Sequence, residues 1–354
     1  MKKTLVAIAA LAAVSSFAQS SVTLYGVGDI WLGSLKSGVP GVAQNQLRLN
    51  SGGLSGSRFG LRGTEDLGGG LSANFTFENG FNLDDAATST TNVAAPGGGT
   101  PLITANTVLT TAPAIFGRQA FIGLNGGFGG IRLGRQYSAY DDLRGATDTM
   151  GHSSFSSTVA FGAWERNGLH YTFRVNNQLR YNTPNLGGFT GVLAYGLGEN
   201  KTATASADNI LSAHLLYANG PITAGLAIQN EKSGAANLTL KHTLIAGAYD
   251  FGVAKVNLGF NNSKLATVKD NEFQIGATVP FGAFSLAAAY ATSKTKVAGT
   301  AFTKANSVSL QGIYALSKRT NVYAGLVNAS TKASIGGATQ SKTNLVATGI
   351  RHTF

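Results

Sequence analysis

From Leu169 to Tyr181 the side chains alternate with a period of two. Leu169, Tyr171, Phe173, Val175, Asn177, Leu179 and Tyr181 share one parity, and His170, Thr172, Arg174, Asn176, Gln178 and Arg180 the other. Successive side chains of a strand point to opposite faces, so this stretch predicts a strand with one apolar and one wet face. The wet face carries Arg174 and Arg180, roughly 20 Å apart at strand rise. Just before it, Ser138–Gly168 shows neither strand nor helix periodicity and mixes Asp141, Asp142, Asp148, His152 and Glu165 with Phe155, Phe161 and Trp164. A structureless stretch that long inside a compact domain signals a functional loop. It is expected to fold inward, an acidic segment lying opposite basic strands.

The same alternation recurs along the chain. Leu47, Leu49, Phe59 and Leu61 fall in one parity against Arg48, Asn50, Arg58 and Arg62; Ala73, Phe75 and Phe77 oppose Ser72, Asn74, Thr76 and Glu78. Arg118 lies on the predicted strand Ile115–Leu124, Arg132 and Arg135 on Ile131–Tyr137, and further strands run from Phe189–Leu197 to Leu345–Phe354. Short connections at Glu65, Asn125, Asn185, Ala218, Tyr249, Val279 and Leu316 alternate with longer polar ones, among them the bland Asp84–Pro113 segment. Seven short and eight long connections join sixteen antiparallel strands and return both termini to the short-turn side. Strands of about ten residues are long enough to cross a bilayer when tilted. Tyr171, Tyr181, Tyr195, Tyr249, Tyr290 and Tyr314 fall near strand ends on the predicted outer face, while the inner face reads Ser, Thr, Asn, Gln, Arg and Lys. A soluble sandwich would need that inner face apolar. The pattern therefore predicts an all-β, sixteen-stranded antiparallel transmembrane barrel.

Composition agrees: 354 residues with 12% charged side chains contain no long apolar run after the N-terminus. The absence of cysteine excludes a disulfide framework and thiolate chemistry. Lys2 and Lys3, the apolar stretch Leu5–Val14 and the small residues of Ser16-Phe17-Ala18 form a signal peptide, residues 1–18, cleaved before Gln19. The rest, 19–354, is expected to be one barrel domain with 138–168 as its constriction loop. Without the signal peptide, 25 basic side chains stand against 16 acidic ones, a net charge of +9. That favours an anionic partner, and an exported chain with no lysine-rich tail argues against nucleic acid. The histidines have no metal spacing, and Gly126–Gly130 is not followed by a helix, so it reads as a turn and not a phosphate cradle. Neither metal nor cofactor is expected.

Four motifs carry a resemblance: Ser21-Val22-Thr23-Leu24-Tyr25-Gly26, Gly56-Ser57-Arg58-Phe59-Gly60-Leu61-Arg62-Gly63-Thr64-Glu65-Asp66-Leu67, Gly130-Ile131-Arg132-Leu133-Gly134-Arg135-Gln136-Tyr137 and the terminal Gly349-Ile350-Arg351-His352-Thr353-Phe354. Over its whole mature length the chain resembles the trimeric, sixteen-stranded general porins of Gram-negative outer membranes, closest to their β-proteobacterial branch. The resemblance implies a homotrimer among outer-membrane lipids and lipopolysaccharide, inserted by the barrel-assembly machinery, with small anionic solutes as cargo. It also implies that acids on the third loop face an arginine cluster on the wall. That cluster maps onto Arg58, Arg118 and Arg180, with Arg62 and Arg174 beside it. The Pro-Glu-Phe-Gly-Gly loop tip of enteric relatives is absent from Asp148–Ser157, which leaves the acid open among Glu78, Asp141, Asp142, Asp148 and Glu165. Phe354, with Ile350 and Val346 in the same parity, resembles the insertion signal of outer-membrane barrels.

Of twelve arginines ten lie at or before Arg180. An arginine fixed on a lumen wall keeps its charge and presents a planar fork, so a row of them attracts anions without titrating. The leading expectation is a passive channel for small hydrophilic solutes that prefers anions. A lipid hydrolase would need Ser and His together on the lipid face, yet His170 and His214 have lumen parity. An adhesin would carry aromatics and charge in its outer loops. Deleting Phe354 should leave export to the periplasm intact and impair barrel insertion; normal outer-membrane yield of the truncated chain would refute that role.

Overall fold

Alternating side chains become a barrel because in hydrocarbon no backbone N–H or C=O can remain unpaired, and only a closed sheet leaves no edge. The computed structural model describes residues 21–88, 114–159, 161–165, 167 and 169–354. The expected signal peptide and most of Asp84–Pro113 lie outside the described residues. In chain order the strands are β1 (Ser21–Gly38), β2 (Asn45–Ser51), β3 (Arg58–Gly68), β4 (Leu71–Gly80), β5 (Gln119–Gly126), β6 (Gly129–Tyr137), β7 (Arg174–Asn182), β8 (Phe189–Leu197) and β9 (Asn209–Asn219). They continue with β10 (Ile222–Ser233), β11 (Leu238–Asp250), β12 (Lys255–Leu265), β13 (Val268–Phe281), β14 (Phe284–Val297), β15 (Thr300–Ala315), β16 (Thr320–Ala333) and β17 (Thr339–Thr353). Each strand from β3 onward pairs antiparallel with the next, and β17 returns to β1 over Val27↔Thr353 to Gly38↔Lys342. Both β2 and β3 pair with β1, its far half with β2 and its near half with β3, so they are two parts of one traverse and the barrel has sixteen. Gly26 N–H donates to Phe354 O at 3.0 Å and Phe354 N–H to Gly26 O at 3.1 Å, which completes the ring.

The outer face carries Leu49, Ile122, Leu193, Ile245 and Val308, all more than half exposed. Tyr181, Tyr195, Tyr249, Tyr290 and Tyr314 are exposed there too, whereas Tyr171 is buried beneath the third loop and does not belong to that belt. Two of the eight connections expected to be long are tight turns, Leu265–Val268 and Val297–Thr300, with Ala266 and Ala298 at positive φ. The strands beside them outrun the apolar alternation. Their ends project past the hydrocarbon layer, where outward positions become polar: Lys241, Lys264, Lys269 and Lys296 occupy one rung of β11–β14.

The inner face is not uniformly polar as expected. Ala227, Leu244, Ala246, Ala291 and Ala305 form a buried cluster with Tyr140, Leu143, Trp164 and Tyr171 of the third loop, and Trp31, Tyr323, Val327 and Leu345 another with Met150 and Phe155. Small wall residues leave room for the loop. At Gly325 an added Cβ would lie 2.5 Å from the Phe155 ring, and at Gly276 2.2 Å from Thr149 Oγ1.

The break between β2 and β3 has a cause on β1. Asp29 is fully buried, and its carboxylate accepts from the N–H groups of Gly53 at 2.9 Å and of Leu54 and Ser55 at 2.8 Å, as well as from the Tyr323 hydroxyl. These bonds curl the chain inward at 52–57. Ser154 of the third loop then docks on that turn, its N–H 2.8 Å from Gly53 O and its hydroxyl 2.9 Å from Gly52 O. Asp29→Ala should destabilise the barrel, by about 1–3 kcal/mol for each N–H that water fails to reach, and so lower its heat-unfolding midpoint. Heat-dependent gel mobility reads this, and Asp29→Asn, which keeps one acceptor, should lose less.

Candidate functional site

The third loop is not structureless. Its first part is a helix, α1 (Ala139–Thr147), capped by Ser138, whose side chain accepts from Asp141 N–H at 3.2 Å. Such a hydroxyl satisfies one of the open N–H groups of a first turn. The helix is short and its buried residues, Tyr140, Leu143 and Arg144 among them, follow one stripe too brief to be legible beside the flanking strands. The loop runs on past the expected end at Gly168: Leu169 and Tyr171 are buried within it and β7 starts only at Arg174. Asn177 at positive φ and a register shift opposite Gly134 and Gln136 break the expected alternation, so Val175 is buried and not on the lipid face.

The loop is tied to the wall around much of the lumen. Ala139 N–H donates to the Ser212 hydroxyl at 3.1 Å, Asn257 Nδ2 to Thr147 O at 3.0 Å, the Ser153 hydroxyl to Gln311 Oε1 at 2.8 Å, and Trp164 Nε1 to Phe273 O at 3.2 Å. Glu165 N–H donates to Glu272 Oε1, and Thr172 N–H to Glu231 Oε1 at 2.6 Å. These bonds hold the segment inside the barrel, opposite β3–β7.

There the arginines meet. Arg58 opens β3 and Arg118 immediately precedes β5; Glu78 on β4, between them, lies 3.3 Å from Arg58 Nε and 2.7 Å from Arg118 Nε. The Tyr25 hydroxyl donates to the same carboxylate at 3.0 Å. Arg118 and Arg174 both donate to the Tyr137 hydroxyl, at 2.8 and 2.9 Å, and the Arg174 guanidinium lies 4.9 Å from the Tyr137 ring centroid. Arg180 contacts Asp142 Oδ2 at 2.6 Å and Tyr137 O at 3.1 Å. Arg62 stands over the Tyr25 ring at 5.0 Å.

Of the five candidate acids, Glu78 and Asp142 touch the arginines of the wall. The other three turn into the loop. Asp141 takes the Tyr171 hydroxyl, and Asp148 takes Met150 N–H at 2.9 Å and the Ser156 and Thr158 hydroxyls at 2.6 Å. Glu165 lies 3.3 Å from Arg144. Burial pushes Glu165 up to about 7, against the pull of Arg144 and with the help of Asp141, Glu231 and Asp270. Burial would also raise Asp148, but nearby His152 and the hydroxyls of Ser156 and Thr158 hold it below the usual carboxylate range.

Asp29, Tyr137 and Arg144 escaped the sequence reading of the site. Asp29 carried one signal, a charge in the inner parity of β1. Arg351 lies across the strands from Asp29, donates to the Ser55 hydroxyl at 3.1 Å and acts electrostatically on Arg58. Val346, Ile350 and Phe354 all face outward, with Phe354 lying over Gly26.

A closed barrel with charged side chains on its inner wall and a loop packed into its lumen defines a diffusion pore. The model of Gram-negative porins matches residues 4–334, and the chain belongs to that family. It is 33% identical to outer membrane porin protein 32 of Delftia acidovorans and 31% identical to an outer membrane porin of Bordetella pertussis, over the full length of each. The solved anion-selective porin from Comamonas acidovorans superposes with a TM-score of 0.75 at 28% identity, covering 95% of this chain and 100% of that one. The protein is an outer-membrane porin of a Gram-negative cell.

Two outcomes follow from this geometry. Glu78→Gln removes the one carboxylate that touches Arg58 and Arg118 among the described residues, so the chloride-to-potassium permeability ratio should rise about twofold to fivefold. That corresponds to roughly 0.5–1 kcal/mol for an ion passing a unit charge in wet surroundings. An unchanged reversal potential would contradict it. The second concerns pH: a carboxyl raised from 4.5 to about 7 in the docked loop favours its protonated form there. Docking is therefore strongest below the ordinary value and weakens as the pH rises through about 7. Open-channel current noise should grow between those limits, and Glu165→Gln should flatten the dependence.

Proposed function

We propose that this porin is a passive diffusion channel for small hydrophilic solutes and ions that prefers anions. The observation that carries the reading is the sharing of Glu78 by Arg58 and Arg118, which leaves the wall with more positive than negative charge at its narrow part. Arg62 and Arg174 add charge that no carboxylate among the described residues neutralises. In a narrow, wet passage such fixed charge lowers the entry energy of anions, while Asp142, Glu78 and the facing arginines create a transverse field that orients dipolar solutes and disfavours apolar ones. The similarity to a porin described as anion-selective supports the same preference. The channel works as a homotrimer, exported with residues 1–18 removed, inserted by the barrel-assembly machinery and surrounded by outer-membrane lipids and lipopolysaccharide. It transports without a cofactor and without chemical conversion of its solute, as the porin family does.

Under a salt gradient in a planar bilayer, the reversal potential should show preference for chloride over potassium. The preference should weaken at high salt, because the Debye length falls from about 10 Å at 0.1 M to about 3 Å at 1 M. Replacing Arg58 and Arg118 together by glutamine should bring the preference to unity or below, since Glu78 is then uncompensated. Arg319, exposed on the short turn before β16, should change selectivity little when replaced. Equal effects of Arg319 and of the pair would show that total charge, and not a focused constriction, sets the preference.

A further inference from the structure

Below the constriction, toward the short-turn end, a recess of about 670 Å³ opens in the wall of β1 and β3–β6, lined in part by Arg62, Arg132, Asn74, Thr76 and Asn125. Its charge is one-sided. The single acid in its lining is Glu78, already engaged by Arg58, Arg118 and Tyr25, and no carboxylate among the described residues lies within ion-pair distance of Arg62 or Arg132, Asp142 being bound by Arg180 and acting on Arg132 only from further off. Both free guanidiniums are held by aromatic faces, Arg62 over Tyr25 at 5.0 Å and Arg132 over Phe121 at 5.1 Å. A guanidinium pinned this way by its flat face keeps its N–H edge free for an incoming acceptor. Donors are also left over in the same wall: Asn74 Nδ2 and Arg132 Nε are buried without an acceptor. The two residues adjoin, since both flank Gly123, where an added Cβ would meet Arg132 Cγ at 2.9 Å and Asn74 Oδ1 at 3.2 Å.

We infer that this recess is a binding site for an oxyanionic group, phosphate or carboxylate, carried by a solute leaving the constriction. Unpaired charge-assisted donors and a shortage of acceptors select a ligand that brings oxygen lone pairs and negative charge. Chloride satisfies the charge but not the fork of a guanidinium beside an amide. The site gives the channel a second resting place for multivalent anions, below the pair that sets ion preference, and it rests on the anion-channel reading above.

The full-length mature porin in a planar bilayer tests it, with inorganic phosphate added on the short-turn side at constant chloride activity. Phosphate should reduce the chloride current of the wild type. In Arg132→Gln the half-blocking concentration should rise about tenfold or more, the loss expected for one charge-assisted bond. Asn74→Ala, which leaves every charge in place, should raise it several-fold. Succinate in place of phosphate separates the two chemistries: block by either probe supports the site and names its preferred group, and block by neither overturns it. Unchanged block in both variants also overturns it, while a wild-type reversal potential favouring potassium would instead sink the anion-channel reading itself.

Discussion

The whole structure depends on closing the sheet. Hydrocarbon offers no partner to a backbone N–H or C=O, so β17 must return to β1, which it does from Val27↔Thr353 to Gly38↔Lys342, and Phe354 completes the ring against Gly26. Closure at sixteen strands encloses more space than the inward side chains of the wall can fill. The fold thus creates a lumen, and the third loop is the element that partly fills it.

That loop stays inside because the wall is shaped for it. Alanines and glycines on β10–β17 remove bulk where Tyr140, Leu143, Thr149, Phe155 and Trp164 approach, so apolar burial holds the segment as it would a small core. Polar anchors add direction. Asp29 folds the turn at 52–57 inward, and Ser154 takes its position from that turn. Glu231 and Glu272 receive N–H groups of the loop, which places carboxylates in a buried setting where Glu165 holds its proton to about 7. These anchors on β1, β10 and β13 are separate from the Arg180–Asp142 contact, which ties the loop to the arginine-bearing wall.

The arginines are graded by how far each is neutralised. Arg144 belongs to the loop's interior with Glu165, Arg180 is matched by Asp142, and Arg58 and Arg118 divide one carboxylate between them. Arg62, Arg132 and Arg174 rest on aromatic rings. Rings hold a guanidinium in place without cancelling its charge, which lets rigid cations line a wet passage and still act on ions within it.

The sequence by itself determined the barrel: a period of two is a local property of a strand, and regular turns at one end need no long-range information. It also determined which side chains face inward, so Arg58, Arg118, Arg180 and Glu78 were legible as lumen groups. Tertiary structure alone decided which of them meet. Glu78 pairs with Arg58 and Arg118 because β4 lies beside both β3 and β5, while Asp141, Asp148 and Glu165 turn into the loop. The buried Tyr171 and Val175, the bulge at Asn177, helix α1 and the tight turns at 265–268 and 297–300 were also beyond the pattern. In each case the strand period gives way to packing or to strand ends beyond the hydrocarbon, where a side chain's surroundings come from residues distant along the chain and alternation no longer reports them.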